Sequence, residues 1–277
     1  MKKNERAAAI VRTIVVSLIA VLFVVPLVWM VLSSLKTAPE GFARPFHWLP
    51  ARVQWQNYAT VWMNEEASML RAFANTLYIA LFSIIGQMFI SSLAAYSFAK
   101  INFKGKQVVF MLFLSSMMVP SQLTIIPRFM LFKTIGLYNN LWAIILPAFF
   151  GATSIFMLRQ FYMGLPNDLI EAAKIDGAGH LRIFLRIMLP LTKAALMSLI
   201  ILAFISSWNE YMAPLIFLVK KELYTVSQNI QWYMLDEFKE HNLTMAAATS
   251  AIVPVVILFI VGQKYFVEGI ATSGVKG

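Results

Sequence analysis

Across residues 13–35 the chain carries no charge, and a run of that length has few places to go in water. A helix of about 20 apolar residues crosses the hydrocarbon of a bilayer. Charge-free runs recur at residues 72–99, 107–127, 134–158 and 241–263, and a sixth, 194–219, is interrupted only by Glu210. The pattern predicts an all-α membrane protein with six transmembrane helices. A soluble alternative fails on composition: 60% of residues are hydrophobic and 13% are charged, whereas a water-facing exterior ordinarily draws on about 25%.

The first run follows the basic start "MKKNER" but is longer than the roughly 7 to 15 apolar residues of a secretory signal core. It contains Pro26 and Trp29 and no A-x-A cleavage pattern follows, so it reads as a retained helix. With six spans both termini share one side. Placing them in the cytoplasm puts fourteen of the 23 Lys and Arg residues inside and nine outside, the bias expected of cytoplasmic loops. The reading is a cytoplasmic segment 1–12, a single transmembrane domain 13–266 and a cytoplasmic tail 267–277. The net charge of +10 then reports topology rather than a nucleic-acid surface.

Chemistry is conspicuous by its absence. The chain has no cysteine, hence no disulfide or thiolate metal site, and His47, His180 and His241 are too scattered for a metal motif. No G-x-x-x-x-G-K-[ST] loop, H-E-x-x-H or G-x-S-x-G pattern occurs, so the chain is not expected to bind ATP alone or to be an enzyme. Two loops on the outer side, 36–71 and 220–240, are rich in Trp and Tyr. That suits an interfacial belt first and a docking surface second. Pro120 and Pro127, beside Ser121, Gln122 and Thr124, predict a break near the outer end of the third span, as a packed kink before a pathway lining.

Charges return in "DLIEAAKIDGAGHLRIFLRIMLPL", residues 168–191. Asp168 stands three residues before Glu171, the spacing of a capping box. Ala172 and Ala173 favour helix and give a small-residue face, and Gly177 with Gly179 ends the helix after about two turns. So short a helix needs a surface to pack on. Arg182 and Arg186 then alternate with apolar residues in a basic amphipathic helix, and Pro190 marks its bend into the fifth span. The short helix is thus joined through a glycine hinge and a stiff helix to a membrane segment.

Glu171-Ala172-Ala173, Gly177, Ile187, Leu189 and Pro190 spell E-A-A-x3-G-x9-I-x-L-P, a match expected by chance on the order of once in 10^8 starting positions. This resembles the signature of permease subunits of binding-protein-dependent ATP-binding-cassette importers. "SSLK", "QNYATVW", "NTLYIA", "SWNEYMAPLIFL" and "YFVEGIATSGVKG" extend the likeness to the smaller permease of maltose-type carbohydrate importers. The resemblance implies a multi-pass bacterial inner-membrane subunit that forms a sugar pathway with a second permease. It implies two cassette ATPases holding ATP and Mg, no cofactor in this chain, and an extracytoplasmic sugar-binding protein; lipid, not nucleic acid, surrounds it. The loop 164–190 between spans four and five would carry the coupling helix. Its contact with the ATPase would rest on Glu171, Ala172, Ala173 and Gly177, continued by Ile187, Leu189 and Pro190.

Two features stay open. Glu210 lies in the fifth span beside Trp208 and Asn209, and an acid in hydrocarbon is a functional candidate. It would serve proton coupling in a self-sufficient secondary sugar transporter, sugar contact in an importer, or a structural partnership with a neighbouring polar group. The secondary carrier lacks the paired inverted repeats expected of it. The tail with Gly274, Lys276 and Gly277 reads as a frayed end, or as a contact near the ATPases.

Overall fold

A computed structural model of the protein describes residues 2–45, 47–235 and 240–274, and every regular element among them is helical. In chain order these are α1 (Lys2–Ser34), α2 (Gln56–Met63), α3 (Met69–Lys100), α4 (Lys106–Ser115), α5 (Ser121–Thr134), α6 (Trp142–Ala148) and α7 (Ala152–Met163). There follow α8 (Asp168–Ile175), α9 (His180–Ile183), a π turn (Phe184–Met188), α10 (Leu189–Leu191), α11 (Lys193–Trp208), α12 (Met212–Phe217), α13 (Val226–Leu235) and α14 (His241–Gly274). Four stretches, Ala8–Ser34, Met69–Lys100, Trp142–Met163 and His241–Gln263, are long and apolar enough to cross a membrane. Two bent pairs, Lys106–Met118 with Ser121–Thr134 and His180–Leu191 with Lys193–Trp208, raise the number to six when each counts as one span.

The bends are where sequence and structure differ in detail, and proline explains two of them. Proline donates no amide hydrogen and crowds the carbonyl four residues back. Pro120 does this to Ser116, where α4 tightens into a 3-10 turn and the chain swings by 96° into α5. The break falls where expected, yet α5 continues through Pro127 to Thr134, so the fourth span starts at Trp142 and not at residue 134. Pro214 does the same to Glu210, so α11 stops at Trp208 and the fifth span does not reach residue 219.

The chain forms two compact units, Met1–Leu70 with Asn229–Val253, and Arg71–Gln228 with Pro254–Gly277. In the first, a polar knot ties the end of α1 to α2 and the start of α14. The Asn57 amide nitrogen donates to the carbonyls of Ser34 and Lys36, both at 2.8 Å, and its oxygen accepts from Asn242 at 3.0 Å. Ser34 pairs with the Tyr58 hydroxyl at 2.7 Å, Trp62 donates to Ser250, and the buried Tyr233 hydroxyl donates to the carbonyls of Val61 and Ala67. The remainder of α1 is bare: its apolar window, of mean hydropathy 2.9, is 0% buried.

The second unit is built along α3. At one end Ile79 packs with Phe132, Ile144, Ile145, Phe217 and Leu218; at the other Met88, Ala95 and Tyr96 pack with Ile155, Leu158, Tyr162, Ile170, Ala173, Phe184 and Leu199. Between them Gly86 lets Phe149 lie against the helix, since a Cβ there would meet the phenyl ring at 2.2 Å.

Asn57→Ala is expected to lower the stability of the first unit by about 2 kcal/mol, because it strands two buried carbonyls and an amide. Tyr58→Phe, which removes one bond, should cost less. Thermal unfolding of the purified protein in detergent ranks the two, and a smaller loss in the alanine variant would contradict the knot.

Candidate functional site

Residues 164–190 fold as a short helix held between two turns. The capping box expected at Asp168 is not formed. The cap residue is Asn167, whose carbonyl accepts the amides of Ile170 at 2.8 Å and Glu171 at 3.1 Å, and no side chain caps the helix. The Asn167 side chain is engaged elsewhere, accepting from the Lys100 ammonium at 2.6 Å. Asp168 and Glu171 sit instead in the first turn, where their charge complements the positive end of the helix dipole.

The far end of α8 closes as a Schellman turn. The Ala178 amide donates to the Ala173 carbonyl at 2.9 Å and the Gly177 amide to Lys174 at 3.0 Å, with Gly177 in the left-handed region at φ +76°. No atom lies within 4 Å of a Cβ built on Gly177, so backbone angle alone requires glycine there.

The alanine pair is split between two faces. Ala173 and Ile170 are buried against Tyr96, Tyr162 and Phe184, whereas Ala172 is exposed. Leu169 and the 87% exposed Ile175 flank Ala172 on the outward side, beside the exposed Asp168 and Glu171. Small size thus serves core packing at one alanine and an open outer surface at the other.

The stretch that follows is not the stiff helix the sequence suggests. Pro190 offers no amide to Arg186, and residues 184–188 wind as a π turn in which the Leu189 amide reaches the Phe184 carbonyl. Ile187 and Leu189 are half-buried against the core and Pro190 is exposed. The 77° bend into α11 comes at Thr192, whose hydroxyl donates to the Leu189 carbonyl at 2.9 Å.

Trp208, Asn209 and Glu210 lie together at the break after α11, not inside a continuous span. Trp208 is 2% exposed, stacked on Phe204 and edge-on to Phe73. Asn209 caps α11 by donating its side chain to the Ile205 carbonyl at 2.8 Å. Glu210 Oε1 accepts the Ala213 amide at 3.0 Å at the start of α12. Arg128 lies 5.0 Å from the Phe217 ring at the other end of α12. Gly274 is the last residue of α14, while Lys276 and Gly277 lie outside the described residues.

In the first unit a cavity of about 490 Å³ is lined by residues that include Lys36, Glu40, His47 and Trp48. Glu40 accepts from the backbone amides of Thr37 and Ala51 and from the Thr37 hydroxyl. The Thr37 amide leads in holding its carboxyl below the usual range. No group of three or more His, Asp or Glu able to hold a metal occurs among the described residues.

Residues 87–272 match the family described as the binding-protein-dependent transport system inner membrane component. The chain belongs to that family. The arabinooligosaccharides transport system permease protein AraQ of Bacillus subtilis is 33% identical over 269 residues, covering 96% of this chain and 95% of the relative. The melibiose/raffinose/stachyose import permease protein MelC of the same species is 30% identical and covers 96% of each chain. The sn-glycerol-3-phosphate transport system permease protein UgpE of Pectobacterium atrosepticum is 29% identical over 94% of each. A crystal structure of a bacterial ABC transporter involved in the import of the acidic polysaccharide alginate shares the fold, with a TM-score of 0.83 at 24% identity, over 95% of this chain and 98% of that one. None of these comparisons supports a proton-coupled secondary carrier built on Glu210.

For this inner membrane component the residues that sequence reasoning missed are Tyr96 and Lys100. Lys100 donates to the Leu165 carbonyl and Asn167 Oδ1, both at 2.6 Å, and the Tyr96 hydroxyl lies 3.2 Å from His180 Nδ1. The available signal was their spacing of four, which puts both on one face of α3 directly before the chain leaves the span.

Gly177→Ala is expected to destabilise the end of α8 by about 1 kcal/mol through its left-handed backbone, and Gly177→Asn by less. Hydrogen exchange at the amides of residues 177 and 178 reads this, with faster exchange in the alanine variant. Glu210→Gln, which keeps an oxygen for the Ala213 amide, should hold thermal stability near wild type, whereas Glu210→Ala loses about 1 kcal/mol. Equal losses in both would mean that the carboxylate charge, not the cap, is what matters.

Proposed function

We propose that this chain is a permease subunit of an importer for a sugar or oligosaccharide, and that α8 is the coupling helix through which a cassette ATPase drives it. The observation that carries the reading is the outward face of α8, where Leu169, Ala172 and Ile175 form an exposed apolar stripe beside Asp168 and Glu171 while Ile170 and Ala173 hold the helix to its own core. A helix of two turns with one face bonded to the protein and the other bare is built to receive a partner.

The excess of Lys and Arg supports placing both termini, and with them α8, in the cytoplasm. There the ATPases would bind ATP and Mg, and Glu171 would offer the groove an acidic contact. The bare surface of α1 supports a second permease within the bilayer. An extracytoplasmic binding protein would deliver the sugar, and the names of AraQ and MelC favour an oligosaccharide over other solutes. Trp208, Asn209 and Glu210, which meet at the break between α11 and α12, would border the sugar pathway, and the resemblance supports a position of the 274–277 tail near the ATPases.

Glu171→Lys and Ile175→Asp are each expected to weaken ATPase association about thirtyfold or more and to abolish uptake, with membrane insertion intact. Both are measured by co-purification of the ATPase and by sugar uptake in cells. Normal sugar-stimulated ATP hydrolysis in these variants would overturn the assignment of α8.

A further inference from the structure

The last turns of α3 hold the segment that contains α8, just before its start and at the beginning of α9. At its start, the Lys100 ammonium binds the Leu165 carbonyl and Asn167 Oδ1, each at 2.6 Å. Beyond its end, the Tyr96 hydroxyl meets His180 Nδ1 at 3.2 Å, a bond that either partner is able to donate. Tyr96 is 3% exposed, with its ring edge-on to the fully buried Tyr162 at 6.1 Å and against Phe184 at 5.5 Å. Between the two grips, Ile170 and Ala173 pack into the same cluster. The stretch from Leu165 to His180 is therefore mounted on α3 at three places, two of them on α8 and its cap.

The covalent route from α8 to α11 is interrupted by comparison, although Ile183, Phe184 and Met188 along it are buried in the same core. It passes Gly177 with no neighbour within 4 Å of a would-be Cβ, then the π turn, then the 77° bend at Thr192. Each is a point where the helix axis is broken. The α3 route is continuous, because a single helix runs from Lys100 back to Met69 without a break or an internal proline.

Its other end grips the segment 222–226 in the same manner. Asn75 donates to the carbonyls of Glu222 at 2.8 Å and Tyr224 at 3.1 Å, and the Thr76 hydroxyl accepts the Val226 amide at 2.9 Å. From Tyr96 to Asn75 the helix extends about 30 Å, the depth of a membrane core.

The structure assigns α3 the part of a strut: displacement of α8 by the ATPase is carried along α3 to the segment 222–226 on the opposite membrane face, with Tyr96 and Lys100 as positioning residues at one end and Asn75 at the other. This deepens the reading of α8 as the coupling helix and rests on it. Rigid packing between two hydrogen-bonded ends makes such a strut two-state in response rather than gradually deformable.

The test uses the complete importer, purified with its second permease, ATPases and binding protein and reconstituted in proteoliposomes, with sugar imported per ATP hydrolysed as the readout. Tyr96→Phe combined with Lys100→Met should keep ATP hydrolysis near wild type while the import ratio falls about fivefold, the scale of losing such hydrogen bonds. His180→Asn, whose amide oxygen stands where Nδ1 does, should keep the wild-type ratio, and His180→Ala should lower it. An unchanged ratio in the double variant overturns the strut. Should that variant fail to assemble, the His180 pair decides: a split between Asn and Ala supports the strut, and equal behaviour overturns it. ATP hydrolysis without import, or import without ATP, in the wild-type complex would instead overturn the importer reading itself.

Discussion

In hydrocarbon a backbone amide or carbonyl without a partner costs several kcal/mol, so every departure from helix must be compensated within the protein. That constraint organises the second unit around its breaks. Where Pro214 stops α11, Asn209 closes the old helix and Glu210 opens the new one. The far end of α12 is finished by Gln228, donating to the carbonyls of Pro214 and Leu218 at 3.1 Å, and by Asn139. The Asn139 amide donates to the Phe217 carbonyl, and its side chain accepts the amides of Val219 and Lys220. Polar side chains that look like pathway candidates on a hydropathy plot are here the repair of a broken helix.

The same logic separates what was legible in the sequence from what was not. Charge-free runs marked the spans because lipid tolerates little else, and Pro120 marked a bend because a missing amide is a local property. The limits of the third, fourth and fifth spans were displaced because charge counting cannot see that α5 continues through Pro127 or that Pro214 acts backwards on Glu210. Asp168 illustrates a different failure. Its spacing to Glu171 suits a capping box, but Lys100 from a distant helix draws Asn167 into the start of α8 and leaves Asp168 in the first turn. Only tertiary structure decides between two residues with equal claims to a cap.

The E-A-A stretch is more informative in space than as a string. Helical geometry turns adjacent residues by about 100°, so two neighbouring alanines cannot share a face. One of them, Ala173, is small because Tyr96 and Phe184 press on it; the other, Ala172, is small where a partner would approach. Gly177 then serves neither surface, and its left-handed angle simply ends the helix before the exposed side could extend. The motif thus encodes a helix with one face buried in its own protein and the other exposed.

A helix proposed to take a partner on its outer face would transmit force only as well as its inner side is fixed. The covalent continuation toward Pro190 is the route a linear sequence suggests, yet the π turn and the bend at Thr192 interrupt it. The unbroken one runs through side chains on α3 that no pattern within residues 168–191 contains. On the proposed reading of α8, coupling would be a property of packing between helices distant in sequence, with the exposed residues of α8 distinct from those that fix it to α3.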